Sequence, residues 1–341
     1  MHKKRINMFS QADSIKGQGV GSAFLEQLEL VKNGLSDIFE ITVNKTYKAD
    51  IVHYHTLNIP YYLSIPLAKR YGTTVCYVHF LPETVKNSLN LPPSARKSFN
   101  GYMLSFYKHV DHLVTVNPYF IDRLEEYGVD RKKVTYIPNF VSETEFFPVS
   151  VDEKALLREK YGIDKTRFTV LGVGQLQTRK GIFDFFECAE KMPDVQFIWA
   201  GGFSFGIITE GYEKIKKVME NPPANLKFLG IVDRERMNEV YNISDLMFLP
   251  SFEELFPMTT LEAMNCGIPV LLRDIPIYNN ILFDYYEKEL SVDGFIKTIE
   301  KLINDKDYYG RARANSWKGH LFYNREHVLQ MWEEFYLSIL K

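Results

Sequence analysis

Cysteine is scarce in this chain: three in 341 residues, Cys76, Cys188 and Cys266. An odd number cannot pair fully, and each sits in apolar or helical surroundings. They read as reduced core residues of a cytosolic protein rather than as a disulfide framework. No window approaches 18 consecutive apolar residues, so no membrane-spanning helix is predicted. The apolar run within the N-terminal MHKKRINMFSQAD is too short for a signal peptide and reads as the first strand of a domain. No basic stripe tracks a nucleic-acid backbone, and no internal repeat or low-complexity tract is visible. One Asp-x-Asp exists, Asp305-Lys306-Asp307. It falls between two helices near the end of the chain and reads as a solvated turn, not as a metal site.

What is present describes a soluble globular protein with a full core: 45% hydrophobic and 25% charged residues. The length suggests two domains. Net charge is −2, unevenly placed: residues 1–150 hold 17 Lys/Arg against 14 Asp/Glu, the remainder 24 against 29. The asymmetry is mild and leaves room for an anionic membrane surface touched by the first half. Short apolar runs alternate with helical patterns along the whole chain. Strands are predicted at 6–9, 50–55, 73–80, 111–116, 134–137, 168–173, 196–200, 226–229, 246–250 and 268–272. That alternation predicts an α/β fold with parallel sheets. A polar, irregular stretch at 143–152, with Pro148, marks the domain boundary, giving domains 1–148 and 149–322.

The densest signal is Phe248–Leu272, FLPSFEELFPMTTLEAMNCGIPVLL. It reads as a buried strand, a sharp turn over 251–255, a helix over Met258–Asn265 stopped by Gly267, and a second buried strand. Glu254 stands at the mouth of the turn and Glu262 about one turn into the helix, with seven residues between. That spacing suits a ligand lying across a helix N-terminus, whose free N–H groups and positive dipole end favour a diphosphate. Glu254 would then reach hydroxyls at one end of the ligand and Glu262 at the other. Two glutamates so spaced also arise by chance on an ordinary strand-turn-helix; the flanking strands favour the ligand.

The run EELFPMTTLEAM resembles the E-x-F-G-x-x-x-x-E-A motif of retaining glycosyltransferases of family 4, which have the GT-B fold. The resemblance implies two doubly wound Rossmann-like domains facing a cleft, with the donor held by the second and a terminal helix, 323–341, returning to the first. It implies that Glu254 contacts the donor sugar and Glu262 the nucleotide ribose, with Phe256, Met258 and Thr259 lining the site. Proline at 257 replaces the family's glycine and has no N–H, which leaves the Met258 and Thr259 amides as phosphate donors. Gly174–Gly181, GQLQTRKG, is similar to the family's G-R-L-x-x-x-K-G loop. Lys180 matches the lysine that neutralises the departing diphosphate; Gln175 stands where the family has arginine, with Arg179 as a substitute cation. Gly201-Gly202 ends the next strand, where the nucleotide should lie. The implied chemistry is front-face attack with retention, the leaving phosphate taking the acceptor's proton, without metal or cofactor; no carboxylate stands out as a nucleophile.

In the first half, Gly17, Gly19 and Gly21 form G-x-G-x-G ahead of a helix predicted from about Ser22. Its spacing is not that of a dinucleotide fingerprint. The loop is either a plain connection or bare backbone held against a ligand; the resemblance favours the latter. His53 and His55 share one face of their strand. No third metal ligand is evident, and a structural role and a place at a ligand-gathering strand end both stay open. His79 ends the strand 73–80 and matches the family's strand-then-His pattern, which implies contact with the donor sugar. Ile137–Val141, IPNFV, is similar to the family's I-P-N-G-V linker and places Asn139 among the substrate residues. Residues 84–110 open a helix at Pro92-Pro93-Ser94 and carry Phe99, Tyr102, Met103, Phe106 and Tyr107 beside Arg96, Lys97 and Lys108, preceded by Leu89 and Leu91. This is either a core-facing amphipathic helix or an element touching lipid headgroups.

The segments INMFSQADSIKGQGVGSA, DIVHYHT, YVHFLPETV and VGQLQTRKG are similar to the Gram-positive members of family 4 that add a second α-hexose to α-glucosyl-diacylglycerol for the lipoteichoic acid anchor. This implies UDP-galactose or UDP-glucose as donor, glucosyl-diacylglycerol as acceptor, and a peripheral position on the anionic inner face of the cell membrane, with no nucleic-acid partner. A polysaccharide or protein-linked acceptor, or a non-catalytic partner subunit of the same fold, are the alternatives.

Overall fold

The computed structural model describes residues 3–11, 19–83, 92–203, 211–254, 256 and 258–340. Gly17, Leu89, Leu91 and Pro257 lie outside them. Contacts divide the chain into two compact units, Met1–Phe140 with Arg325–Lys341, and Val141–Asn324.

The first unit is built on a six-stranded sheet of β1 (Lys4–Phe9), β2 (Phe39–Val43), β3 (Ile51–Tyr54), β4 (Thr73–Val78), β5 (His112–Thr115) and β6 (Val134–Tyr136). Its order is β2-β1-β3-β4-β5-β6 and every pairing is parallel. Parallel strands need crossovers, supplied by α1 (Gly19–Gly34), α2 (Ile59–Ala68), α3 (Pro93–His109) and α4 (Tyr119–Glu126). Every residue of β3 and β4 is buried, as expected of strands covered on both faces. Neither β2 nor α2 is among the predicted elements. Helix α1 begins at Gly19, three residues ahead of expectation. Gly19 and Gly21 therefore sit in its first turn and not in a loop, a correction; the first-turn N–H groups have no intrahelical partner.

Helix α3 buries Met103, Phe106 and Tyr107, and Tyr102 donates from its hydroxyl to the Leu57 carbonyl (2.9 Å). Two of its four aromatics are therefore core and Phe99 and Tyr102 are half-buried, while Lys97 and Lys108 are exposed. The last helix, α12 (Arg325–Ser338), belongs to the first unit. It crosses α1 at Gly34, where an added Cβ would fall 2.4 Å from Leu329 Cδ2.

The second unit carries β7 (Thr169–Val173), β8 (Gln196–Ala200), β9 (Leu226–Gly230), β10 (Leu246–Leu249), β11 (Val270–Arg273) and β12 (Glu287–Glu289). These form a parallel sheet of order β12-β11-β10-β7-β8-β9. Its helices are α5 (Val151–Lys160), α6 (Ile182–Lys191), α7 (Tyr212–Glu220), α8 (Arg234–Asn242), α9 (Met258–Asn265), α10 (Val292–Asn304) and α11 (Lys306–Phe322). The change of unit at Phe140–Val141 comes ahead of the polar 143–152 stretch. That stretch is fastened to the second unit: Phe146 meets Tyr241 edge-on (5.7 Å) and Asn242 accepts from Val149 N (3.0 Å). Asp305 caps α11 by accepting from Tyr308 N (2.9 Å), which accounts for half of the Asp-x-Asp. All three cysteines are free and buried. No helix among the described residues is long and apolar enough to cross a membrane.

Three buried histidines mark the carboxyl ends of β3 and β4. His53 and His55 lie 4.1 Å apart, ring to ring. His79 stacks on Tyr77 at 4.5 Å. Burial pulls His53 and His79 down to about 3, His79 adding to the effect on His53. Burial also holds His55 well below its usual value. Unfolding lets these rings take protons that the folded state refuses, so stability falls as pH drops through the ordinary histidine pKa. For a histidine moving from about 6.5 to about 3, the loss between pH 7 and pH 5 is about 2 kcal/mol. Urea titration should therefore show the first unit weakening steadily from pH 7 to pH 5. A flat midpoint across that range would mean that these rings accept protons in place.

Candidate active site

Two loops of the second unit are locked together at the carboxyl ends of adjacent strands, where ligands of open α/β sheets gather. The first follows β7. Gly174 (φ +146°) and Gly201 (φ +140°) end β7 and β8, and a Cβ on Gly201 would fall 1.8 Å from the Gly174 carbonyl oxygen. Glycine alone lets the backbones approach this closely. The same carbonyl accepts from Trp199 Nε1 (3.0 Å). At the loop's other end Gly181 adopts the left-handed conformation (φ +68°) that starts α6. A Cβ there would lie 2.1 Å from the Pro250 carbonyl oxygen of the second loop, which follows β10. Phe252 N donates to the Arg179 carbonyl (2.8 Å), a further link between the two.

Across this seam Lys180 Nζ meets Glu254 Oε1 at 2.5 Å, with side chains 13% and 7% exposed. Burial raises Glu254's affinity for a proton, but Lys180 and then Arg179 outweigh it and hold the carboxyl below its ordinary value. Burial pulls Lys180 below the usual amine value, Arg179 adds to this, and Glu254 restores only part. Each charge thus favours the other, and a bound diphosphate would compete with Glu254 for Lys180. Gln175, half-buried, opens the same loop. Met258 and Thr259 occupy the first turn of α9, with their amides at its positive end. Phe256 turns inward, edge-on to Tyr323 (5.4 Å).

Glu262 sits inside α9 with both oxygens engaged. Tyr241 donates its hydroxyl to Oε2 (2.5 Å), and Arg234 Nη1 lies 3.3 Å from Oε1. Burial pushes this carboxyl above its ordinary value, Tyr241 and Arg234 offsetting part. Arg234 also pairs with Glu145 (2.9 Å). Neither Arg234 nor Tyr241 was a sequence candidate; helix α8 reads as an ordinary polar helix, and nothing in its pattern signals a site.

Arg273 is the other residue that sequence reasoning missed. It ends β11 and is 6% exposed. Its guanidinium donates to the carbonyls of Pro250 (3.0 Å) and Leu290 (2.6 Å) and pairs with Asp184 of α6. Phe252 covers it at 4.0 Å. One cation thus holds the β10 loop to the first turn of α6, behind the Lys180–Glu254 pair.

In the first unit, His79 ends β4 as expected. Tyr77, on which it stacks, contacts Trp332 of α12 (6.0 Å) and donates to Asn139 Oδ1 (3.2 Å). His79 Nε2 and both ring nitrogens of His55 have no hydrogen-bond partner among the described residues, so a polar ligand at this strand end would find unused donors and acceptors. Among the described residues no three His, Cys, Asp or Glu side chains converge as a metal site.

Two parallel six-stranded sheets, with a lysine and a glutamate at strand-helix turns of the second unit and another glutamate in the helix that follows, fit a nucleotide-sugar-dependent glycosyltransferase of the GT-B fold. The family description "Glycosyl transferases group 1" matches residues 153–318, and "Glycosyltransferase Family 4" matches 19–145. The alpha-galactosylglucosyldiacylglycerol synthase of Streptococcus pneumoniae is 45% identical over 98% of this chain and 89% of its own length. The processive diacylglycerol alpha-glucosyltransferase of Acholeplasma laidlawii is 28% identical over 88% of this chain and 89% of its own. Among solved structures, Anabaena HepE in complex with UDP-glucose superposes with a TM-score of 0.78 at 15% identity, covering 98% of this chain and all of that one. The chain belongs to the family 4 glycosyltransferases.

Arg273→Met would strand Asp184 and the carbonyls of Pro250 and Leu290. It is expected to destabilise the second unit by about 3 kcal/mol, the lower end for breaking a buried ion pair. Asp184→Asn should then add little on top of it, because both changes remove one interaction. Strict additivity in a denaturation cycle would show that the two side chains act separately.

Proposed function

We propose that the chain is a retaining hexosyltransferase that moves a hexose from a UDP-sugar to α-glucosyl-diacylglycerol, forming a diglycosyl-diacylglycerol. The observation that carries this reading is the 45% identity to the pneumococcal synthase across nearly the whole of both chains. The Lys180–Glu254 pair at the strand ends supports turnover over a non-catalytic role. The product named for that relative makes UDP-galactose the first donor to test, with UDP-glucose its competitor.

In the reaction, the acceptor hydroxyl oxygen bonds to the anomeric carbon as the bond from that carbon to the phosphate oxygen breaks. The proton passes to the departing phosphate. Lys180, with Arg179 beside it, would meet the charge that develops on the diphosphate; no metal is required for that role. Glu254, released from Lys180 as the diphosphate arrives, would face the sugar. Glu262, with Arg234 and Tyr241 already fixing it, would take the ribose hydroxyls. His79 is assigned to the donor sugar as a neutral imidazole. A diacylglycerol acceptor places the protein at the inner face of the membrane, where the excess of Lys and Arg in residues 1–150 favours anionic headgroups.

The test is mass-spectrometric assay of both UDP-sugars on glucosyl-diacylglycerol in detergent. Diglycosyl lipid should form from one donor and persist in excess EDTA. Loss on chelation, restored by Mg²⁺ or Mn²⁺, would overturn the metal-free mechanism. Failure with both donors would send the acceptor elsewhere.

Three variants separate the roles. Lys180→Ala should slow turnover by about two orders of magnitude. Glu254→Gln should cut kcat strongly while calorimetry shows that UDP still binds. Glu262→Gln should mainly raise KM, because ribose contacts are alike in ground and transition states. If Glu254→Gln abolishes UDP binding and Glu262→Gln spares it, the donor lies the other way round.

A further inference from the structure

Each of the two site glutamates has a fully buried tyrosine in its surroundings, Tyr241 for Glu262 and Tyr278 for Glu254. The Tyr241 hydroxyl is committed to Glu262 (2.5 Å). The Tyr278 hydroxyl has no hydrogen-bond partner among the described residues. A buried tyrosine hydroxyl usually finds a partner, and phenylalanine would fill the same space without the cost of an unpaired oxygen. Such an orphan calls for an explanation.

Tyr278 stands beside the loop that carries Glu254. Strand β11 runs parallel to β10 with Leu272 opposite Leu249, so the loops leaving these strands start side by side. Arg273, at the root of one, donates to the Pro250 carbonyl at the root of the other (3.0 Å). Glu254 lies four residues past Pro250, and Tyr278 closes the short turn Pro276–Tyr278. That turn is fixed: Tyr278 N donates to the Ile275 carbonyl (3.1 Å), and the Tyr278 carbonyl accepts from Leu282 N (2.8 Å). Tyr286 meets the Tyr278 ring edge-on (5.8 Å). Burial makes the Tyr278 hydroxyl harder to ionise, and the Glu254 carboxylate, then Tyr286, add to the effect. Tyr286 has an unpaired hydroxyl too, but the carboxylates near it are Asp274 and Asp284.

A diphosphate that engages Lys180 leaves Glu254 charged, buried and without its cation, the costly case for a carboxylate. It needs another donor, and Tyr278 has one to give. We propose that Tyr278 is a positioning residue whose hydroxyl takes up Glu254 once the diphosphate has drawn Lys180 away. This rests on the reading of Lys180 and Glu254 as donor-site residues. Glu254 then has two stations, Lys180 before the diphosphate arrives and Tyr278 after it. In the second it stays ionised and fixed, as a group that faces the donor sugar must be. Two other neighbours, Arg179 and Ser251, also help to hold this carboxyl down. Arg179 would turn to the diphosphate with Lys180, which leaves Ser251 as the competing donor.

Calorimetry with UDP on the whole chain tests this without any acceptor. Tyr278→Phe keeps the ring and removes the oxygen. Its urea midpoint should match or exceed the parent's, because the hydroxyl bonds nothing before UDP arrives. Its affinity for UDP at pH 8 should fall about tenfold, the effect of losing a donor to a charged group. Without that donor the Glu254 carboxyl of the complex binds a proton more readily. The deficit should therefore shrink as pH falls from 8 toward 5; the phosphates of UDP titrate in both proteins and cancel from the ratio. On a Glu254→Gln background, Tyr278→Phe should change UDP affinity little. Parent-like UDP binding by Tyr278→Phe overturns the proposal. So does a loss that ignores pH and persists beside Glu254→Gln, or a lowered urea midpoint, which would make the hydroxyl part of the core. The same loss in Ser251→Ala instead would give the role to Ser251. If the parent transfers no hexose to glucosyl-diacylglycerol yet UDP binding depends on the hydroxyl as described, the acceptor reading fails and Tyr278 stands. If transfer is normal and UDP binding ignores the hydroxyl, Tyr278 alone fails.

Discussion

The contact between Lys180 and Glu254 holds together two loops that belong to different crossovers of one sheet. Many other ion pairs in the chain join exposed side chains, such as Lys165–Glu159 and Arg131–Asp122, and pairs of that kind contribute little. This one is different because both side chains are largely buried and each charge offsets part of the cost of burying the other. The backbone reinforces it. Gly181 touches Pro250, Arg179 accepts from Phe252, and Arg273 ties the second loop to α6 from behind. The two loops therefore behave as one part, and a ligand that separates the charges does so on a frame that stays fixed.

The ten predicted strands were legible because parallel strands are short and largely apolar, and the turn after β10 was legible because two glutamates at a fixed spacing punctuate it; β2 was missed. Helix α9 falls on Met258–Asn265 as the sequence indicates. What could not be read is what breaks those patterns. Helix α2 is apolar on its outer face as well as its inner one and carries Pro60 and Pro66, so it shows neither a helical stripe nor a clean helix interior. Strand β12 reads Glu-Lys-Glu, a polar edge strand. Helix α1 begins on glycines, which look like loop until the rest of the helix recruits them. In the site, Glu254 and Lys180 were visible as residues, but their pairing spans 74 positions. Arg234, Tyr241 and Arg273 act only through contacts that no local spacing encodes.

The first unit spends its histidines differently. His53, His55 and His79 form part of a ring column that continues through Tyr77 to Trp332 and Tyr336, His53 Nδ1 meeting the Tyr336 hydroxyl at 3.0 Å. Imidazoles so buried stay neutral, and a neutral ring offers a ligand one donor and one acceptor without adding charge. That suits hydroxyl recognition better than phosphate recognition. The cations that suit phosphate, Lys180 and Arg179, are in the other unit.

Tyr336 and Trp332 come from the last helix, and Thr73 of β4 donates to the carbonyl of Ile339 (2.7 Å). The first unit is thus made of two segments that flank the second, which is one unbroken segment. As the chain leaves the ribosome, the second unit is complete as soon as Asn324 emerges. The first, though most of it is synthesised earlier, must wait for Trp332 and Tyr336 before its histidine column can close. The order of synthesis and the order of completion are reversed, and a chain cut short by a dozen residues would lack part of the core of its oldest half.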